Sequence, residues 1–244
     1  MSLNIHNPVE EYYVPKSAFV KGVLKMLPLL DRFFHHCPLA VRSFIYNEKI
    51  YVNERAIEIP FVLVNLDPEP QKILDVGCSR SSLSMQIAGL GHKVWGLDIN
   101  DYGMENPPFT FTKQDIYKTD FENNYFDCVV SVSTIEHIGL GAYGDIASEG
   151  KELPVIDEIY RILKPGGKLI VTLPFGIRST GKTLRIYDQE SLDTLLKKFQ
   201  VEKVKYYYKD KNTWVQCPRE RAAQEGWNEK GRNNGIVLVV ARKK

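Results

Sequence analysis

Residues 73–100 read Ile-Leu-Asp-Val-Gly-Cys-Ser-Arg-Ser-Ser-Leu-Ser-Met-Gln-Ile-Ala-Gly-Leu-Gly-His-Lys-Val-Trp-Gly-Leu-Asp-Ile-Asn. A short apolar run ends at a glycine turn. A helical stretch follows, with Leu83 and Ile87 on one face. A second apolar run then closes on an acid. This order constrains the chain strongly, because two parallel strands need a crossover, and a helix is the usual one. It predicts a nucleoside pocket at the carboxyl ends of the strands. Asp98, 23 residues after Asp75, stands where a carboxylate can accept from a ribose.

The same alternation continues downstream. Strands are predicted at 72–76, 93–97, 109–113, 126–132, 168–173, 201–208 and 236–241. The run at 126–132 is continuously apolar, as expected of a central strand. Helices are predicted at 82–88 and 155–163, the second with Ile156, Ile159, Tyr160 and Leu163 on one stripe and stopped by Pro165-Gly166-Gly167. A third begins at an Asp188 N-cap and buries Leu192, Leu195, Leu196 and Phe199. The fold expected is α/β: a Rossmann-like, doubly wound, seven-stranded, mostly parallel sheet with an N-terminal helical extension. Residues 1–60 are expected as a helical cap or substrate lid, with two short amphipathic helices in 18–34. Residues 61–244 are expected as the main domain.

Composition sets outer limits. A chain of 244 residues with a net charge of +2 gives no electrostatic case for a nucleic-acid partner. No run of about 18 apolar residues marks a membrane span, and the N-terminus lacks the pattern of a signal peptide. Cys37, Cys78, Cys128 and Cys217 are widely spaced, with no C-x-x-C pair. Reduced thiols, a cytoplasmic location and no metal site are therefore expected. His35-His36-Cys37 lacks a partner set with metal spacing and is read as structural.

Further features narrow the pocket. Asp115 follows the third strand, where it can accept from an adenine amino group. The segment 163–171, Leu-Lys-Pro-Gly-Gly-Lys-Leu-Ile-Val, makes a sharp turn into the fifth strand. The segment 126–138, Phe-Asp-Cys-Val-Val-Ser-Val-Ser-Thr-Ile-Glu-His-Ile, carries the fourth strand and the loop after it. Together, over about residues 70–241, these motifs resemble a class I S-adenosylmethionine-dependent methyltransferase of type 11. The loop at 136–145 is similar to a bacterial subgroup associated with cell-surface sugar enzymes.

The resemblance implies S-adenosylmethionine as cofactor, with Asp75 near the methionine amine. Gly77, Cys78 and Ser79 would form the close-approach turn. Asp98 and Ile99 would sit at the ribose, Asp115 and Ile116 at adenine. Ser131 and Ser133 would line the methionine and sulfonium side. The chain departs from the family in having Ser79 and Ser81 where glycine is usual. A left-handed conformation there would cost about 1–2 kcal/mol. The serines, with Arg80, could instead bind the cofactor carboxylate, or Arg80 could point to solvent.

The acceptor side is expected in Glu136-His137-Ile-Gly-Leu-Gly-Ala-Tyr-Gly-Asp145. His137 is the candidate base for a hydroxyl acceptor, unless Glu136-His137 serves loop structure. Asp145 is expected either to orient it or to hold a substrate hydroxyl. Arg178, Lys182 and Arg185 read first as a solvated basic loop, and second as contacts for an anionic acceptor. Tyr187 is a candidate pocket residue, whereas Tyr206-Tyr-Tyr208 suits sheet packing. The leading expectation is methyl transfer to a small-molecule or glycan-precursor acceptor at oxygen, by a monomer or homodimer. The alternatives are an inactive S-adenosylmethionine-binding regulator or subunit, and an NAD-dependent oxidoreductase. The turn lacks the dinucleotide glycine spacing, which counts against the last.

Overall fold

The computed structural model describes residues 9–15, 17–26, 29, 46–145, 150, 152–227 and 233–244. Two compact units divide the chain. In the smaller, Asn7–Ala56, strand β1 (Val9–Pro15) pairs antiparallel with β2 (Tyr46–Val52). Helix α1 (Ala18–Met26) also belongs to this unit. Beside this helix, the hairpin is an element that the expected helical extension did not include. The second amphipathic helix, expected near residue 34, and His35-His36-Cys37 lie outside the described residues.

The larger unit begins within helix α2 (Arg55–Asn65). The chain then alternates: β3 (Lys72–Val76), α3 (Leu83–Gly89), β4 (Lys93–Asp98), β5 (Thr110–Lys113) and β6 (Phe126–Val132). A 3-10 turn follows at Ile135–His137, then α4 (Glu152–Ile162) and β7 (Leu163–Pro174). A small hairpin joins β8 (Ser179–Thr180) to β9 (Arg185–Ile186). Helix α5 (Gln189–Leu196), strands β10 (Phe199–Asp210) and β11 (Thr213–Cys217), the short α6 (Arg219–Ala222) and β12 (Gly235–Lys243) complete the order.

One eight-stranded sheet runs β11-β10-β12-β7-β6-β3-β4-β5. Neighbours from β7 through β5 pair in parallel. The β7–β12, β12–β10 and β10–β11 pairs are antiparallel. The fold is the expected Rossmann-like α/β sheet with one more strand. That strand is β11, from the segment between the last two expected strands. It folds back on β10 and leaves its own outer edge in the last position.

Alternation along the buried strands explains why both faces are covered. Leu169, Val171 and Leu173 of β7, with Val237, Val239 and Ala241 of β12, join one core with Val155, Ile156, Ile159 and Ile162 of α4. Ile170, Ile236, Leu238 and Val240 join the opposite core with Ile59, Phe61 and Val62 of α2 and Leu83 and Ile87 of α3. Such a strand has period two yet is apolar throughout, because each face meets helices. The Asp188 N-cap is confirmed. Its carboxylate accepts from the Ser191 amide at 2.9 Å, and the Ser191 hydroxyl donates to it at 2.6 Å. The chain goes one way from β3 to β4 and β5, and the other from β6 to β7. The order in which strands are added along the row therefore reverses between β3 and β6, although the two strands are parallel. Crevices at the carboxyl ends of such a pair bind ligands in open α/β sheets. No described helix is long and apolar enough to cross a membrane.

Candidate cofactor and acceptor site

The turn after β3 is built around Gly77. Its φ is +82°, a region where a side chain is strained. Its amide donates to the Leu97 carbonyl at 2.8 Å. A Cβ here would stand 2.2 Å from Thr134 Oγ1. Gly77 is thus required both by its backbone and by the neighbouring loop after β6. Ser79 and Ser81 are absent from the left-handed residues, so replacing glycine there carries no backbone penalty. The Ser81 hydroxyl accepts from the Leu83 amide at 3.1 Å, satisfying one of the free donors at the start of α3. Tyr102, unforeseen in the sequence, donates to the Ser81 carbonyl at 3.0 Å. Burial pushes its hydroxyl up to about 12.

Asp98 ends β4 half-buried. Its carboxylate accepts from the Ser79 amide at 3.0 Å and from the Asn100 amide at 2.8 Å. Ile99 beside it is half-buried. Asp75 is buried in β3 and accepts from the Ser84 hydroxyl at 2.6 Å. Cys78 is buried as well, and burial followed by the Asp75 and Asp98 charges drives its thiol well above the usual range. It is an inert packing residue, not a nucleophile. Lys113 pairs with Asp98 in the sheet. Asp115, two residues on, is exposed and accepts from the Tyr117 amide at 2.9 Å, while Ile116 is buried.

Strand β6 delivers Ser131, Ser133 and the 3-10 turn. Ser131 is fully buried, and its Oγ has no hydrogen-bond partner among the described residues. Ser133 is left-handed, with φ +45°. Its hydroxyl donates to Glu58 at 2.5 Å. His137 is half-buried. Its Nδ1 meets the Thr183 carbonyl, which can only accept, so Nδ1 carries the proton. In the neutral ring the lone pair is then on Nε2, which lies 3.7 Å from the Glu136 carboxylate. Tyr143 packs on the imidazole edge-on at 5.0 Å.

Asp145 shapes the loop. Its carboxylate accepts from the amides of Gly139 at 2.6 Å and Tyr143 at 3.5 Å. Burial works to raise its pKa, but the amides of Gly139, Gly141 and Tyr143 outweigh that and hold it below the usual value. Tyr143 links the loop to the other two strand ends. The Arg80 guanidinium lies 5.4 Å from its ring centre, so Arg80, though exposed, has an aromatic contact. The Asn100 side chain donates to the Tyr143 carbonyl at 3.5 Å.

Arg185 is a correction to the expected solvated basic loop. It is buried, donates to the Ile138 carbonyl at 2.6 Å, and pairs with Glu152 at 3.5 Å. It anchors the loop after β6 from below. Arg178 and Lys182 remain exposed. Tyr187 is buried beside this group, and burial, then the Glu136 and Glu152 charges, raise its hydroxyl far above its usual value. In Tyr206-Tyr-Tyr208 the expected packing holds: Tyr206 lies on one core and Tyr207 on the other. Glu58, Thr134 and Thr172 carried no sequence signal, because their partners are remote in the chain. No group of His, Cys, Asp or Glu among the described residues could hold a metal ion.

Comparison with known proteins gives one family. Residues 74–171 match the family model described as a methyltransferase domain, type 11. A sterol 24-C-methyltransferase of Yarrowia lipolytica is 33% identical over 108 residues, which are 39% of this chain and 26% of that protein. The chain therefore matches about a quarter of the length of that relative. The structure of a Burkholderia thailandensis 1,6-didemethyltoxoflavin-N1-methyltransferase with S-adenosylhomocysteine superposes with a TM-score of 0.55 at 14% identity. It covers 96% of each chain. A Methanosarcina mazei S-adenosylmethionine-dependent methyltransferase gives 0.54 at 18% identity, over 75% of this chain and 97% of that one. At such identities the likeness is one of fold.

Proposed function

We propose that the chain, whose residues 74–171 match a methyltransferase domain of type 11, is a class I S-adenosylmethionine-dependent methyltransferase that methylates a hydroxyl of a small molecule or glycan precursor. One observation carries the reading. The Gly77 turn, the Asp98 carboxylate and the His137 loop meet at the carboxyl ends of β3, β4 and β6, where the strand order switches.

The residues suit the cofactor's parts. Gly77 allows close backbone approach, and Asp98 offers a half-buried carboxylate for ribose hydroxyls. Asp115 and the buried Ile116 stand beyond the β5 end for adenine, and Asp75 lies under the turn for the methionine amine. The Ser131 hydroxyl, unpartnered among the described residues, is a donor in waiting on the methionine side. When bound, the cofactor supplies a methyl group already activated by the sulfonium. The protein's task is then to orient the acceptor and remove its proton.

His137 is the proposed base. The Thr183 carbonyl favours the tautomer with the proton on Nδ1, which puts the basic lone pair of the neutral ring on Nε2. Glu136, 3.7 Å away, stabilises the imidazolium that results. Asp145 contributes by closing the loop that carries His137. We propose cytoplasmic action as a monomer or homodimer, without nucleic acid. The fungal relative is named for transfer to a sterol carbon; a base at His137 favours oxygen here. The test is methyl transfer from labelled cofactor to a panel of hydroxyl, amine and sterol acceptors, beside calorimetry with S-adenosylhomocysteine. Binding with transfer to hydroxyls is expected. Absence of binding at millimolar concentration would overturn the reading, and transfer to a sterol alone would overturn the acceptor.

A further inference from the structure

We propose that Glu58 is the positioning residue of the cofactor turn, acting through Ser133 and Thr172; this rests on the reading that the Gly77 turn holds the cofactor. Glu58 lies on α2, before the first strand of the parallel sheet, and is completely buried. A carboxylate out of water is costly, and an apolar side chain of similar size would pack there more cheaply. What the acid gains is a set of bonds. Oε1 accepts from the Ser133 hydroxyl at 2.5 Å and from the Thr172 hydroxyl at 2.6 Å. Thr172 Oγ1 accepts in turn from the Ser133 amide at 3.0 Å. Both donors of Ser133 are thereby committed to one network spanning α2, β6 and β7.

Ser133 needs that hold, since φ +45° is unfavourable for a residue with a side chain. Its geometry decides where the next residue goes. Thr134 fills the space in which a Cβ on Gly77 would sit, 2.2 Å from its Oγ1. The Thr134 carbonyl accepts from the His137 amide at 3.0 Å and starts the 3-10 turn. One strained residue therefore seats both the wall of the Gly77 turn and the base of the His137 loop.

Calorimetry of the full chain with S-adenosylhomocysteine tests this. Wild-type binding is the control for the cofactor reading, and its absence sinks both proposals together. With wild-type binding in place, Glu58→Gln is expected to weaken affinity about tenfold, because a neutral amide oxygen holds the two hydroxyls less strongly than a charged carboxylate oxygen does. Ser133→Gly in that background is expected to restore most of the loss, since glycine takes φ +45° without help. A purely structural role for Glu58 would not be rescued so. Unchanged affinity in Glu58→Gln, or a loss that glycine does not recover, overturns the proposal alone. If Glu58→Gln does not fold, Ser133→Ala is compared with Ser133→Gly. Both remove the hydroxyl, but only alanine keeps the strain, so alanine is expected to bind about fivefold more weakly. Equal affinities overturn the proposal.

Discussion

The Ser79 amide donates to the Asp98 carboxylate at 3.0 Å, joining the turn after β3 to the tip of β4. A single acid thus performs two tasks, ordering the turn and presenting its remaining lone pairs outward. A carboxylate accepts about four hydrogen bonds, so the inward bonds do not exhaust it. Asp98→Ala is expected to weaken S-adenosylhomocysteine binding at least tenfold by calorimetry, with a melting temperature lowered only modestly. An unchanged dissociation constant would place the ribose elsewhere.

For His137 the expectation separates chemistry from binding. His137→Ala is expected to slow transfer ~100-fold, the usual contribution of a positioned base. Cofactor affinity should stay within a factor of two. Turnover at the wild-type rate would remove the imidazole from the reaction.

Gly77→Ala combines two penalties. Its left-handed φ costs a side chain about 1–2 kcal/mol, and the contact at 2.2 Å from Thr134 Oγ1 forces repacking. Thermal or urea unfolding should report a loss of ~2–4 kcal/mol, together with loss of cofactor binding. A loss below 1 kcal/mol would mean that Thr134 yields easily.

An acid-side experiment reads Glu158, away from the site. Burial disfavours its charge, but Arg161 and then Thr119 more than compensate and hold its pKa at about 2 against 4.5 in water. The folded state thus binds fewer protons than the unfolded one between those values. Its contribution is complete above about pH 4.5 and is lost as the pH falls towards 2. Melting curves of wild type and Glu158→Gln should therefore differ at pH 7 and converge in that acid window. A gap that stays constant down to pH 2 would assign the loss to packing.

Much of the site was legible because its parts are local. Gly77, Asp98 and the Asp188 cap lie at strand or helix ends whose periodicity flanks them. The unread parts depend on distant partners. Glu58 bonds to residues 75 and 114 positions away, and nothing in 55–65, with Pro60 inside it, advertises that. Arg185 sits in a stretch with Arg178 and Lys182 that looks uniformly solvated; only the packed loop shows that it turns inward. Strand β11 was missed for a related reason. Thr213–Cys217 is a short, half-exposed edge strand whose identity comes from its pairing with β10, not from its own pattern.

The clasp at Asp145 has one more consequence. It closes a ring on Gly139 using donors that belong to the main chain. Any residue except proline supplies such a donor, so the side chains at 140, 142 and 143 are not needed to shut the ring. Variation to suit a different acceptor is therefore open at residues 140 and 142, while Gly139 and Asp145 keep the ends together, Gly141 and Gly144 hold the left-handed positions and Tyr143 stays packed on His137.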